Sequence, residues 1–185
     1  MNKRILRILI GLTASVAVLL FSLYGRYQAE TQSKQSTTET EYVKVVEVND
    51  GDTISVIFNG RKERVRLIGI DAPELQQRPW GQRAKRHLRE LVSMSQWTVS
   101  IEFDIEKRDV HGRLLSYVWT SDGRMINVQM LKDGYAVLYT FPPNIQHVDE
   151  FKKAQDEARS KGLGIWGRGG LKEAPREYRK GHPRL

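Results

Sequence analysis

Three short stretches of the sequence gather the residue types that phosphodiester chemistry requires. They are Asp50-Gly51-Asp52-Thr53, Arg66-Leu67-Ile68-Gly69-Ile70-Asp71-Ala72-Pro73-Glu74, and Asp109-Val110-His111-Gly112-Arg113. Hard divalent cations take several oxygen ligands, and Asp52 and Asp71 can supply two carboxylates from neighbouring strand ends. A phosphoryl transition state spreads negative charge over its equatorial oxygens, and Arg66 and Arg113 offer planar forks that bind such oxygens in pairs. Hydrolysis also needs a placed water, which Glu74 can orient or deprotonate. Each piece alone is ordinary: most Asp-Gly turns are only turns, and a lone Glu74 is a surface carboxylate. The second stretch is less ordinary, because Pro73 stiffens the backbone between Asp71 and Glu74 directly after an arginine-bearing strand. Together these are the parts of a metal-assisted phosphodiesterase.

The elements that would hold those residues are mostly short strands. Tyr42 to Val48 is β-branched and roughly alternating, and Asn49-Asp50-Gly51-Asp52 supplies a turn. Thr53 to Phe58 follows as a second strand, Asn59-Gly60 is a strong hairpin signal, and Arg61 to Ile70 reads as a third strand. Its alternation puts Val65, Leu67 and Gly69 on one face and Arg64, Arg66 and Ile68 on the other. Gly81 to Ser93 is predicted helical, with Ala84, Leu88, Leu91 and Val92 on its apolar side. Thr98 to Asp104 and Arg113 to Trp119 are two further strands. A short helix around Ile126 to Asp133 stops at Gly134, Tyr135 to Phe141 is extended, and Val148 to Lys161 is a final helix closed by Gly162. Five strands interleaved with helices in this order fit a mainly β, α+β class. The expected architecture is a five-stranded OB-fold barrel with about three packed α-helices.

Composition narrows the chemistry further. The 185 residues contain 30 Lys plus Arg against 22 Asp plus Glu, a net charge of +8, and 0 Cys. Disulfides, iron–sulfur clusters and Cys-ligated zinc are thereby excluded. The four histidines (His87, His111, His147, His182) have no zinc-hydrolase spacing. The excess charge suggests a polyanionic partner. Lys3, Arg4 and Arg7 precede the uncharged apolar run Ile8 to Leu23, the layout of a secretory signal or membrane anchor. Residues 1–25 are expected to be that leader, and residues 26–41 a flexible polar linker, with no large apolar side chain from Gln28 to Glu41. Removing residues 1–41 leaves 25 basic and 19 acidic residues, so the domain itself keeps a net charge of +6. Residues 42–167 form the domain and 168–185 a basic tail, expected to add modestly to affinity for a polyanion without being needed for cleavage. The chain is expected to be a monomer, exported or anchored to the outer face of the cell membrane through residues 5–23.

The ordered motifs VNDGDTI, RVRLIGIDAPEL, DVHGRLLSYVW, MLKDGYA and KGLGIW resemble the staphylococcal nuclease (thermonuclease-like) family, over about Tyr42 to Gly167. The resemblance implies a calcium-dependent nuclease on a five-stranded barrel with three helices, which cuts DNA and RNA to leave 3′-phosphate ends. It implies that Asp52, Asp71 and the backbone carbonyl of Ala72 bind Ca2+, with Asp50 behind them. Glu74 would be the general base or water-positioning residue, and Arg66 and Arg113 would hold the phosphate. Tyr139 keeps the place of an aromatic that can stack on a base. Ala72 replaces a threonine of the staphylococcal enzyme. Val110 and His111 replace a lysine and a tyrosine that contact a terminal phosphate, a contact His111 can supply in part. The loop after Glu74, with Gln76, Gln77, Arg78, Pro79 and Trp80, is shorter than in that enzyme.

Two readings of other classes compete with the enzyme. A degenerate barrel that binds nucleic acid or protein without cutting usually loses its carboxylates or arginines, whereas Asp52, Arg66, Asp71, Glu74 and Arg113 are all present. A structural cell-surface protein accounts for the leader and leaves those five residues unexplained.

Overall fold

The computed structural model describes Phe21, Ser22, Tyr24 and residues 40–183. Apart from those first three residues, the leader and nearly all of the linker lie outside the described residues. Among the described residues no helix is long and apolar enough to cross a membrane.

The strands are β1 (Thr40–Val48), β2 (Thr53–Phe58), β3 (Arg61–Leu67), β4 (Ile70–Asp71), β5 (Thr98–Glu102), β6 (Leu114–Trp119) and β7 (Val137–Leu138). The α-helices are α1 (Trp80–Met94), α2 (Ile126–Lys132), α3 (Val148–Ser160) and α4 (Pro175–Gly181), with a 3₁₀ turn at Gly164–Trp166. Five strands close into a barrel in the order β1-β2-β3-β6-β5, and β4 pairs with β7 apart from it. The expected OB-like barrel of the α+β class is therefore present, with one helix more than expected among residues 40–183, α4.

Local sequence explains most of this. The Asn59-Gly60 turn joins β2 to β3 with both residues at positive φ, as a two-residue hairpin requires. In β1 the inward alternation of Val43 and Val45 passes to Val48 and not to Glu47, because a bulge between Val45 and Glu47 shifts the register. Ile54, Val56, Val65, Leu67, Val99, Ile101 and Val118 fill the barrel, and burying each stabilises the fold by about 1.5–3 kcal/mol. Ala84, Leu88, Leu91 and Val92 are the buried face of α1, as their spacing predicts.

Two departures from the expected elements position the site. The third strand does not run to Ile70: Gly69 adopts φ +79° and turns the chain, so β3 ends at Leu67 and Ile70–Asp71 forms a separate strand. Ile68 is consequently buried and not on the arginine face. In the extended run after Gly134, Val137–Leu138 pairs antiparallel to Ile70–Asp71, and Phe141 makes an isolated bridge to Asn144. Asn127, fully buried on α2, ties the turn to the barrel: the Val118 N–H donates to its Oδ1 at 2.9 Å and its Nδ2 donates to the Ile68 carbonyl at 2.8 Å.

Candidate active site

The β1–β2 turn, the end of β3 and strand β4 meet at one place. The Leu67 N–H donates to the Asp52 carbonyl at 2.9 Å, which locks the turn onto the end of β3. The Asp52 carboxylate accepts from the Ala72 N–H (Oδ2, 2.8 Å) and the Thr53 hydroxyl (Oδ1, 3.1 Å). Gly51 permits the approach, since a Cβ there would stand 2.6 Å from Ala72 Cβ and 2.7 Å from Ala84 Cβ. The Asp50 carboxylate sits behind, accepting from the Asp52 N–H at 3.0 Å.

Arg66 closes the pair. Its Nη2 lies 3.2 Å from Asp52 Oδ2 and 3.5 Å from Asp71 Oδ1, and its Nη1 donates to the Leu67 carbonyl at 2.6 Å. The two carboxylates, 8% and 1% exposed as residues, thus share one guanidinium nitrogen. Burial, reinforced by the negative charge of Asp52, pushes the Asp50 carboxyl up to about 6. Burial likewise raises the Asp71 carboxyl above its ordinary value, against the hydrogen bond from Arg179. Crowded, poorly hydrated carboxylates of this kind are costly to keep charged without a cation. The donor set therefore fits a hard divalent cation on Asp52 and Asp71. Among the described residues no three His, Asp or Glu side chains form a cluster that could hold a metal ion, so a cation on Asp52 and Asp71 would need further oxygen ligands from backbone or solvent.

Glu74 reaches the same place on the loop after β4. Its N–H donates to Gln77 Oε1 at 2.9 Å, and the Gln77 N–H donates back to the Glu74 carbonyl at 2.8 Å. Gly81, in the first turn of α1, presses on this loop: a Cβ there would lie 2.0 Å from the Glu74 carbonyl oxygen. Gly81→Ala is therefore expected to shift Glu74 and lower turnover by roughly tenfold to a hundredfold, since small displacements of reacting groups carry penalties of that size. Steady-state kinetics beside the unfolding curve of the same protein checks this; unchanged turnover in a folded variant would show that Gly81 does not set the position of Glu74.

The other expected site residues are placed differently. Arg113 stands just before β6, whose parallel pairing with β3 sets Leu115 beside Arg66. Its guanidinium is bound by Asp109, with Nε and Nη2 each 2.7 Å from Oδ2. Asp109 Oδ1 also accepts the N–H groups of His111 and Arg113, both at 2.9 Å. Burial raises the Asp109 carboxyl, but the hydrogen bonds and charge of Arg113 outweigh it and hold the group below its usual range. His111 is exposed on this loop and Tyr139 is half-buried, its N–H donating to the Gly69 carbonyl at 2.9 Å.

Sequence reasoning missed Arg179. From α4 its Nη1 donates to Asp71 Oδ1 and to Glu74 Oε1, and its Nη2 donates to Asp71 Oδ2, all at 2.9 Å. Burial alone would lower this guanidinium, but its hydrogen bonds to Asp71 and Glu74 hold it above its ordinary value. Gln77 was also missed, being read only as part of a short loop. No local signal separates Arg179 from the other bases of the tail.

Comparison with known proteins identifies the family of this chain. The family model described as Staphylococcal nuclease homologue matches residues 64–168. Endonuclease YncB of Bacillus subtilis is 37% identical over 156 residues, covering 80% of this chain and 72% of the relative. The Thermonuclease of Staphylococcus intermedius is 35% identical over 173 residues, covering 90% of this chain and 99% of the relative. That of Staphylococcus hyicus is 31% identical over 173 residues, covering 89% and 98%. With more than half of its length matched by the family model, the chain belongs to the staphylococcal nuclease family.

Proposed function

We propose that this protein is a calcium-dependent endonuclease that hydrolyses the phosphodiester bonds of DNA and RNA to 3′-phosphate products. The broader class, a nuclease acting on nucleic acids, follows from the family. The finer reading is carried by one observation: Asp52 and Asp71, from different strand ends, converge on a single nitrogen of Arg66.

In this reading Asp52, Asp71 and the Ala72 carbonyl hold Ca2+, which when bound supplies electrostatic stabilisation to a phosphoryl oxygen. Arg66 and Arg113 take equatorial oxygens of the phosphate, Arg113 being oriented by Asp109. Glu74 accepts a proton from the attacking water as the new P–O bond forms and the P–O5′ bond breaks. The 5′-oxygen departs and is protonated from solvent, leaving phosphate on the 3′ side. Tyr139 offers a face for a base, and His111 an imidazole near the end of the bound strand. The basic-then-apolar order of residues 1–25 supports export or anchoring at the outer face of the membrane, with the enzyme acting as a monomer.

The test is cleavage of single-stranded DNA with calcium, after chelation, and after calcium is restored. Cleavage is expected to stop on chelation and to return with calcium. Full activity in the chelator would mean that hydrolysis here does not use a metal on Asp52 and Asp71.

A further inference from the structure

We infer that the C-terminal helix α4 is an intramolecular latch on the active site, so that its docking and the binding of a divalent cation at Asp71 exclude one another. The inference rests on reading Asp52 and Asp71 as cation ligands. The Asp71 side chain is 1% exposed, and both its oxygens accept from Arg179 at 2.9 Å. A calcium ion needs at least one of those oxygens at about 2.3–2.6 Å. The forked guanidinium fills that space, and it also occupies Glu74 Oε1. One turn earlier, the Arg176 guanidinium lies 5.7 Å over the ring of Tyr139 and covers a face on which a base would stack. Before the helix, the Glu173 carbonyl accepts from Gln77 Nε2 at 2.9 Å, which joins α4 to the loop that carries Glu74.

Burial of α4 itself is slight. Of its residues Pro175 is buried, whereas Arg176, Glu177, Lys180 and Gly181 are exposed. A short element held chiefly by ion pairs to the site opens locally at low cost, and what fills the site then decides whether it is docked. The coupling is reciprocal: if α4 weakens cation binding by some factor, the cation weakens α4 docking by the same factor. The tail bases Arg176 and Arg179 are thus directed at the protein's own site, Arg176 at the ring of Tyr139 and Arg179 at Asp71 and Glu74.

The experiment compares the full chain with Arg179→Ala by calcium calorimetry, and follows amide hydrogen exchange of residues 174–181 with and without calcium. Arg179→Ala is expected to bind calcium about tenfold more tightly, with Arg179→Lys, which keeps the charge but loses the fork, in between. In the unaltered chain calcium is expected to speed exchange across α4. Equal calcium affinity in the three proteins, or exchange that calcium leaves unchanged, overturns the latch alone. Absence of calcium binding to all three overturns the ligand reading as well, so the two failures are distinguishable.

Discussion

Arg66→Ala is expected to lower turnover on single-stranded DNA by about 100- to 1,000-fold, the usual loss when one contact to a charged transition state is removed. The loss should fall on kcat more than on KM, because the fork matters most once charge has built up on the equatorial oxygens. Arg66→Lys should recover only part of it, since an ammonium cannot make the paired contact. Glu74→Gln, which removes a proton acceptor while keeping shape, should cost a comparable factor. Arg66 also has a role before substrate arrives, because its Nη2 is shared by Asp52 and Asp71. Without it those carboxylates face each other with Arg179, bonded to Asp71, as the neighbouring cation. The Arg66→Ala protein should therefore be less stable than the parent in chelator and regain more stability than the parent on adding calcium. Kinetics and thermal unfolding with and without calcium report the two effects separately. Turnover that stays within a factor of two would show that Arg66 only neutralises the acidic pair.

Gly69→Ala is expected to destabilise the fold by about 2–4 kcal/mol, combining a non-glycine residue at positive φ with overpacking of the core. At φ +79° an L side chain is strained, and its Cβ would stand 2.0 Å from Cε2 of Phe151, a core residue 1% exposed. The melting temperature should fall by roughly 5–15 °C. Adding Phe151→Leu should relieve the steric part and leave the backbone part, so the double variant should lose less than the sum of the singles. A melting temperature unchanged by Gly69→Ala would mean that the turn can reopen without cost. The position matters for function because Gly69 separates Arg66 on β3 from Asp71 on β4, and it is the reversal there that folds the two side chains towards each other.

Elements set by neighbouring residues are legible in the sequence, and contacts between residues far apart in the chain are not. Strand β2 runs from Thr53 to Phe58 as its β-branched run predicts, because that pattern and the Asn59-Gly60 turn are properties of adjacent residues. Helix α3 begins at Val148 as expected and ends at Ser160, just ahead of Gly162 at φ +61°. The third strand stops at Leu67, short of Ile70, because Gly69 uses its backbone freedom to turn, whereas the two-residue alternation of the sequence continues through Ile68 to Ile70. Similarly, Tyr135 to Phe141 has the composition of a strand, but only Val137–Leu138 finds a partner edge in β4.

By itself the sequence determined the kinds of group available, namely an acidic pair, a third carboxylate and forked cations on a small barrel, because side-chain chemistry and short-range periodicity are carried by neighbouring residues. Tertiary structure alone decided which cation meets which carboxylate. Arg113 is taken by Asp109 four residues away, whereas Asp71 and Glu74 receive Arg179 from more than a hundred residues along the chain. Such a pairing depends on the path by which α4 returns to the barrel, and that path is set by the packing of the whole domain.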